Sequence, residues 1–194
     1  MSLRIEQDGR LRRITLAAPE KRNFLDEDAC INLLEEIRDA VADSATGAIL
    51  LEAEGPVFCG GATPGDGCDL FSIGRRMAKP LIAAAQGVAI SGGVALLANA
   101  HVAIAAQGTS FGVTDIREHK WHVAIYTAIA AAIGERRALE IGLTGRIFTT
   151  PDALAWGLVH MVTPAFELAD RANDVASALA NADPEVVRAA LASR

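Results

Sequence analysis

The chain has 194 residues, 51% of them hydrophobic, with 18 Lys+Arg against 24 Asp+Glu and a formal net charge of −6. That length suits one domain, and the apolar fraction excludes a disordered chain. The acidic balance argues against a nucleic-acid partner, which needs a basic face, yet leaves room for an anionic small molecule held by a few local cations.

In chain order, Leu3 to Gln7 and Arg10 to Leu16 alternate enough to pair as strands across an Asp8-Gly9 turn, a strong hairpin signal. Asp26 is placed to cap a helix running to about Ala42, with Ile31, Leu34, Ile37 and Val41 on its apolar face. Ala48 to Ala53 reads as a buried strand. The stretch from Gly55 to Gly67 holds five glycines and two prolines and is a loop. Asp69 to Met77 has room for only a short helix. Leu81 to Ala85 is a second buried strand, and Gly87 to Ile90 leads into an apolar helix ending near Asn99. His101 to Ala105 predicts a strand, and Phe111 to Arg117 an extended or turning segment. Helices are expected at Trp121 to Ile133 and Glu135 to Leu143, and a short one starts at Thr150-Pro151-Asp152, where proline suits the first turn. A last strand, Leu158 to Val162, precedes helices at about Glu167 to Ala180 and Pro184 to Ala192.

Alternating strands and helices give an α/β class. The pattern fits either a coil of ββα units or an open parallel sheet. The three cysteines (Cys30, Cys59, Cys68) form no metal-like or disulfide-like spacing, so no metal is expected. An odd count without a visible signal peptide leads to an expected location in a reducing cytoplasm. The longest apolar stretch, Leu81 to Ala100, is broken by Gln86, Ser91 and Asn99, so no membrane span is expected.

Two glycine turns carry the chemical signal: Phe58-Cys59-Gly60-Gly61-Ala62 after a strand, and Gly87-Val88-Ala89-Ile90-Ser91-Gly92-Gly93 between a strand and a helix. Glycine lets backbone turn tightly and approach a ligand. A helix starting at Gly92 leaves its first N–H groups unpaired, with the positive end of its dipole behind them. Two such turns side by side can aim two N–H donors at one oxygen, an oxyanion hole worth about 3–4 kcal/mol per donor. The same glycines also suit two tight turns with no ligand.

These segments, in this order, resemble the enoyl-CoA hydratase/isomerase (crotonase) family. The resemblance runs from about Ile14 to Pro184. It includes Pro19-Glu20-Lys21-Arg22-Asn23, the two glycine turns, Lys79-Pro80-Leu81-Ile82-Ala83-Ala84 and Ile104-Ala105-Ala106. Phe111-Gly112, Leu143-Thr144-Gly145-Arg146 and Ala155-Trp156-Gly157-Leu158-Val159 complete it. It implies a crotonase-like spiral of ββα units over residues 1–165, followed by a shortened C-terminal helical segment over 166–194. It further implies a homotrimer or hexamer (a dimer of trimers) and an acyl-CoA ligand, with coenzyme A carried as the substrate thioester and no other cofactor required. By position, Ala62 and Gly92 would supply the two N–H groups facing the thioester oxygen. Lys21, Arg22 and Lys79 are the candidate partners of the CoA phosphates. Asn23, Phe24 and Gly60, with the backbone as far as Leu25, are the candidates for the rest of the cofactor.

The sequence also departs from the family. Its hydratases add water with two carboxylates. The position of the first holds Ala95, and a methyl cannot move a proton. The second corresponds to Asp115, one methylene shorter than the usual Glu, where a misplacement of about 1 Å costs about 100-fold. Asp115 is equally suited to capping a turn. The glycine-rich helix start after it becomes Val123-Ala124-Ile125-Tyr126, an aspartate becomes His101, and another becomes Thr63. The connection from Ala62 to Lys79 is short. The chain stops where further helices are expected, which bears on pocket closure and on the trimer.

The expected activity is therefore that of an enoyl-CoA isomerase, or an atypical hydratase, stabilising an enolate, with Asp115 as the acid–base group. Glu118, His119 or His122 could supply a second group: on a helix Glu118 would face His122, and Asp115 would face His119. One alternative is a family member that binds acyl-CoA without efficient catalysis. Another is a Clp-like serine hydrolase using Ser91, which would need a histidine within reach.

Overall fold

The computed structural model describes residues 2–193. Nine strands and seven α-helices alternate among the described residues. The opening hairpin pairs β1 (Leu3–Asp8) antiparallel with β2 (Leu11–Leu16), with Asp8 opposite Leu11. Its turn is thus Gly9-Arg10, one residue later than the Asp8-Gly9 signal, with Gly9 supplying the positive φ. Helix α1 (Glu27–Ala42) starts at Asp26, whose carboxylate accepts from the Ala29 N–H at 2.9 Å. That cap is worth about 1 kcal/mol. The buried stripe of α1 is Cys30, Leu33, Leu34, Ile37 and Ala40, whereas Ile31 is 43% exposed and Val41 only half-buried. The apolar face is therefore rotated from the expected one.

The main sheet adds β3 (Ala48–Ala53), β4 (Leu81–Ala85), β6 (Val102–Ala106) and β9 (Met161–Thr163), in the order β1-β2-β3-β4-β6-β9. All pairings after the hairpin are parallel. Both faces of these strands are buried, which is why they read as unbroken apolar runs. Ile49, Leu51, Leu81, Ala83, Ala103 and Ala105 point into the larger core with α1. Alternate residues Leu50, Ile82, Ala84, Ile104 and Ala106 meet Leu168, Ala172, Ala176 and Ala180 of α6 (Leu168–Ala180). Alanine at three of those four α6 positions, and at 84 and 106, fits the low aromatic content: helix and sheet approach through small side chains. The last helix, α7 (Pro184–Ala192), contributes no buried residue.

A second sheet holds β5 (Val88–Ile90), β7 (Ser110–Gly112) and β8 (Ile147–Phe148). The two sheets explain the element order. β4 joins the main sheet, β5 the small one, and α2 (Gly92–Asn99) follows; β6 and β7 repeat this before α3 (Val123–Ile133). Between the sequence-compatible options, the structure selects the coil of ββα units. Helices α4 (Glu135–Thr144) and α5 (Thr150–Ala155) fall where helices were expected. The segment from Asp69 to Met77 yields only a 3₁₀ turn at Ile73–Arg76, and β8 had no signal of its own. No helix is long and apolar enough to cross a membrane among the described residues.

Candidate active site

The two glycine turns abut. Phe58 donates its N–H to the Val88 carbonyl at 3.0 Å, and Ile90 donates to Cys59 at 2.9 Å, which lays the first turn alongside β5. On its other side the Leu25 N–H donates to Gly61 at 3.0 Å and Thr63 donates to Leu25 at 2.8 Å. The Ala62 N–H falls between these two bonds and has no acceptor among the described residues. Gly92 opens α2, and its N–H likewise has none. The approach dictates glycine: a Cβ at 93 would sit 2.7 Å from the Cys59 carbonyl oxygen. Burial pushes the Cys59 thiol up to about 12, and its Sγ lies 3.3 Å from the Gly61 carbonyl.

Ser91 joins the second turn to the carboxylate segment. It adopts φ 45°, rare for a residue with a side chain, and is buried. Its N–H donates to Gly112 at 2.7 Å, and its Oγ accepts from the Thr114 N–H at 3.2 Å. Asp115 is the next residue. Ser91 therefore positions the site, and the His122 Nε2 in the same cleft does not bond to it. His101 Nδ1 accepts from the Leu81 N–H at 2.8 Å. The histidine nearest to Ser91 in sequence is thus tied to the main sheet through its Nδ1.

Asp115 opens a 3₁₀ turn, Asp115–Glu118, whose cap position is Thr114, and no backbone N–H donates to the Asp115 carboxylate among the described residues. His119 then takes a left-handed conformation at φ 58°, which ends the turn. The helical spacings expected for Asp115 with His119 and for Glu118 with His122 therefore do not arise. The chain instead folds back so that His122 Nε2 lies 4.0 Å from Asp115 Oδ1, the two side chains 21% and 13% exposed. Glu118 is exposed and pairs with Lys120 at 3.0 Å. Ala95 is fully buried within α2 and brings no polar group.

Among the candidates for the cofactor, Lys21 and Arg22 are exposed and take part in no ion pair among the described residues. Gly60 donates to the Arg22 carbonyl at 2.8 Å, and the Phe24 ring lies 3.0 Å from where a Gly61 Cβ would be, so this segment is built onto the first glycine turn. The Asn23 side chain is occupied internally: Oδ1 accepts from the Ala18 N–H at 2.9 Å, and Nδ2 donates to Glu54 and Val57 carbonyls at 3.0 and 2.8 Å. Lys79 is a correction. Its ammonium donates to the Ala40 carbonyl at 3.0 Å and to that of Asp43, closing the end of α1 instead of meeting a phosphate. Burial there lowers it from the usual lysine range.

Phe24, Gly60, Ala62, Ser91, Asp115 and His122 are among the residues that line a cleft of about 40 Å³. His122 also lines a neighbouring cavity of about 450 Å³ formed by residues 64–69, Ser72, Trp121, Val123, Ala124 and Thr127. The first has room for small groups such as a water; the second is the size of a small-molecule site.

Comparison with known proteins finds relatives in sequence and in fold. An (E)-benzylidenesuccinyl-CoA hydratase of Thauera aromatica is 31% identical over 206 residues, covering 97% of this chain and 80% of that protein. The mevalonyl-coenzyme A hydratase sidH of Aspergillus fumigatus is 28% identical over 191 residues, covering 90% and 71% respectively. The crystal structure of human enoyl-CoA hydratase domain-containing protein 3 matches with a TM-score of 0.89 at 27% identity, over 98% of this chain and 81% of that one. Residues 6–193 match the enoyl-CoA hydratase/isomerase family itself, and with its ββα coil and paired glycine turns this chain belongs to that family.

Proposed function

We propose that this chain moves a proton at the α-carbon of an acyl-CoA thioester, as an enoyl-CoA isomerase or an atypical enoyl-CoA hydratase. The observation that carries this reading is the pair of amides on abutting turns, Ala62 and Gly92, neither with an acceptor among the described residues, with Ala62 in the cleft that also holds the Asp115 carboxylate. The two amides form the oxyanion hole for the enolate oxygen, and Asp115 gives and takes the proton. Lys21 and Arg22 meet the CoA phosphates. The backbone from Asn23 to Leu25, with Phe24 and Gly60, takes the remainder of the cofactor. Coenzyme A enters as part of the substrate, with no further cofactor, and the assembly is a homotrimer or a dimer of trimers.

A second reading has a specific observation in its favour. Ala95 stands where the family's other carboxylate belongs, so a thioester could bind without efficient turnover. One set of measurements separates the two. Turnover of crotonyl-CoA and of a 3-enoyl-CoA is followed alongside thioester binding by calorimetry, for the wild type and Asp115→Asn. The enzyme reading expects wild-type turnover that falls about 100- to 10,000-fold in Asp115→Asn while binding holds. Tight binding without turnover selects the second reading, and neither binding nor turnover overturns both.

A further inference from the structure

His122 Nε2 is buried and has no hydrogen-bond partner among the described residues. Buried polar atoms in folded proteins are almost always bonded, and a catalytic role or a bound water is among the explanations for an exception. This atom faces Asp115 Oδ1 at 4.0 Å. That is too long for a hydrogen bond, yet close enough for both groups to reach one oxygen set between them. The cleft they share also contains Ala62, and His122 alone among its charged or titratable residues extends into the larger cavity as well.

Of the other charged and titratable groups around His122, three are engaged in ion pairs. Glu118 and Lys120 line the cleft but pair with each other at 3.0 Å. Across the larger cavity stand Asp66, Cys68 and Asp69, of which Asp69 holds Arg76 at 2.9 Å. His122 precedes the first residue of α3 and makes no capping bond, so the helix start does not require its side chain.

We propose that His122 is the second acid–base residue of this site, standing in for the carboxylate that Ala95 lacks, and that it gives the site hydratase chemistry on a 2-enoyl thioester. The inference rests on the thioester reading above. His122 Nε2 takes a proton from water as the water oxygen bonds to the β-carbon. The π electrons of the double bond move towards the thioester carbonyl, and the enolate oxygen rests on the Ala62 and Gly92 amides. Protonated Asp115 then delivers its proton to the α-carbon and becomes a carboxylate. The imidazolium returns the proton gained from water to that carboxylate. One water is added, and both side chains end in their starting states.

The test uses crotonyl-CoA with the wild type, His122→Ala and His122→Gln, each checked for an intact thermal transition. The expected result is formation of 3-hydroxybutyryl-CoA by the wild type and a fall in kcat of about 100-fold or more in both variants. Thioester binding is retained, and added imidazole restores part of the rate in His122→Ala but not in His122→Gln. Variants with wild-type turnover, or a loss in His122→Ala that imidazole does not relieve, overturn the role of His122 and leave the thioester reading standing. A wild type that binds crotonyl-CoA without adding water does the same. A wild type that neither binds nor turns over the thioester overturns both.

Discussion

A β-carbon at position 92 would lie 2.3 Å from the Cβ of Ala62 and 3.1 Å from its amide nitrogen. The two turns are therefore held at a distance that only glycine permits, and even one methyl must push them apart. Gly92→Ala is expected to lower kcat about 100- to 1,000-fold, the usual loss when an oxyanion donor is misplaced. Overpacking also costs about 1–3 kcal/mol of stability. Steady-state kinetics with thermal unfolding checks both, and wild-type turnover in a folded Gly92→Ala protein would remove the assignment of these amides.

Asn23 ties the CoA-facing segment to the loop before the first glycine turn through three bonds, to Ala18, Glu54 and Val57. It also sits at φ 51°, a conformation asparagine tolerates better than alanine. Asn23→Ala should cost about 3 kcal/mol, since buried backbone groups lose their partners. Because residues 22 and 25 bond to Gly60, Gly61 and Thr63, thioester affinity should fall as well. Urea denaturation and calorimetry measure the two effects. A variant as stable as the wild type would show that the loop holds its shape without this side chain.

How much of this was legible in the sequence depended on the range of the interaction. Asp26 as a cap, the buried strands and the two glycine turns follow from local residue types and came out as expected. Lys79 did not, because the carbonyls it meets belong to a helix end 36 and 39 residues earlier, and a cation near a motif looks the same whichever anion or dipole it serves. The α1 face was misjudged because Cys30 and Leu33 belong to the buried stripe while Ile31 lies at its edge. His122 was visible only as one of three candidates. The left-handed His119 breaks helical spacing, so the Asp115–His122 approach is a product of backbone geometry that no periodicity announces. The short β8 is two residues long and leaves no pattern to read.

Ser91 gives a direct contrast between a positioning residue and a nucleophile. Its backbone at φ 45° favours glycine, while its Oγ satisfies the Thr114 N–H. Ser91→Gly relieves the first and loses the second, so stability should change by less than about 1 kcal/mol. Turnover should fall modestly, as the segment carrying Asp115 loosens. A fluorophosphonate probe should leave the wild type unlabelled. Labelling that disappears in Ser91→Gly would restore the hydrolase alternative.

The cysteines supply a prediction in pH. Burial pushes the Cys59 thiol up to about 12, well above the ordinary cysteine range. For Cys30, burial and then the neighbouring Cys68 and Cys59 sulfurs act in the same upward direction. A thiol raised in the folded state stays protonated there while the unfolded chain releases its proton. The stability it contributes is thus complete below pH 9 and is lost as pH rises towards 12, at about 1.4 kcal/mol per pH unit for a single thiol. Denaturant midpoints of the wild type and Cys59→Ala should therefore converge between pH 9 and 11, the wild type falling more steeply. At pH 8 a thiol reagent should modify half-buried Cys68 well before Cys30 or Cys59, since thiolate is the reactive form and both others are buried. Parallel pH curves for the two proteins, or rapid modification of Cys59 in the folded state, would mean that the first glycine turn is more open than its packing against β5 implies.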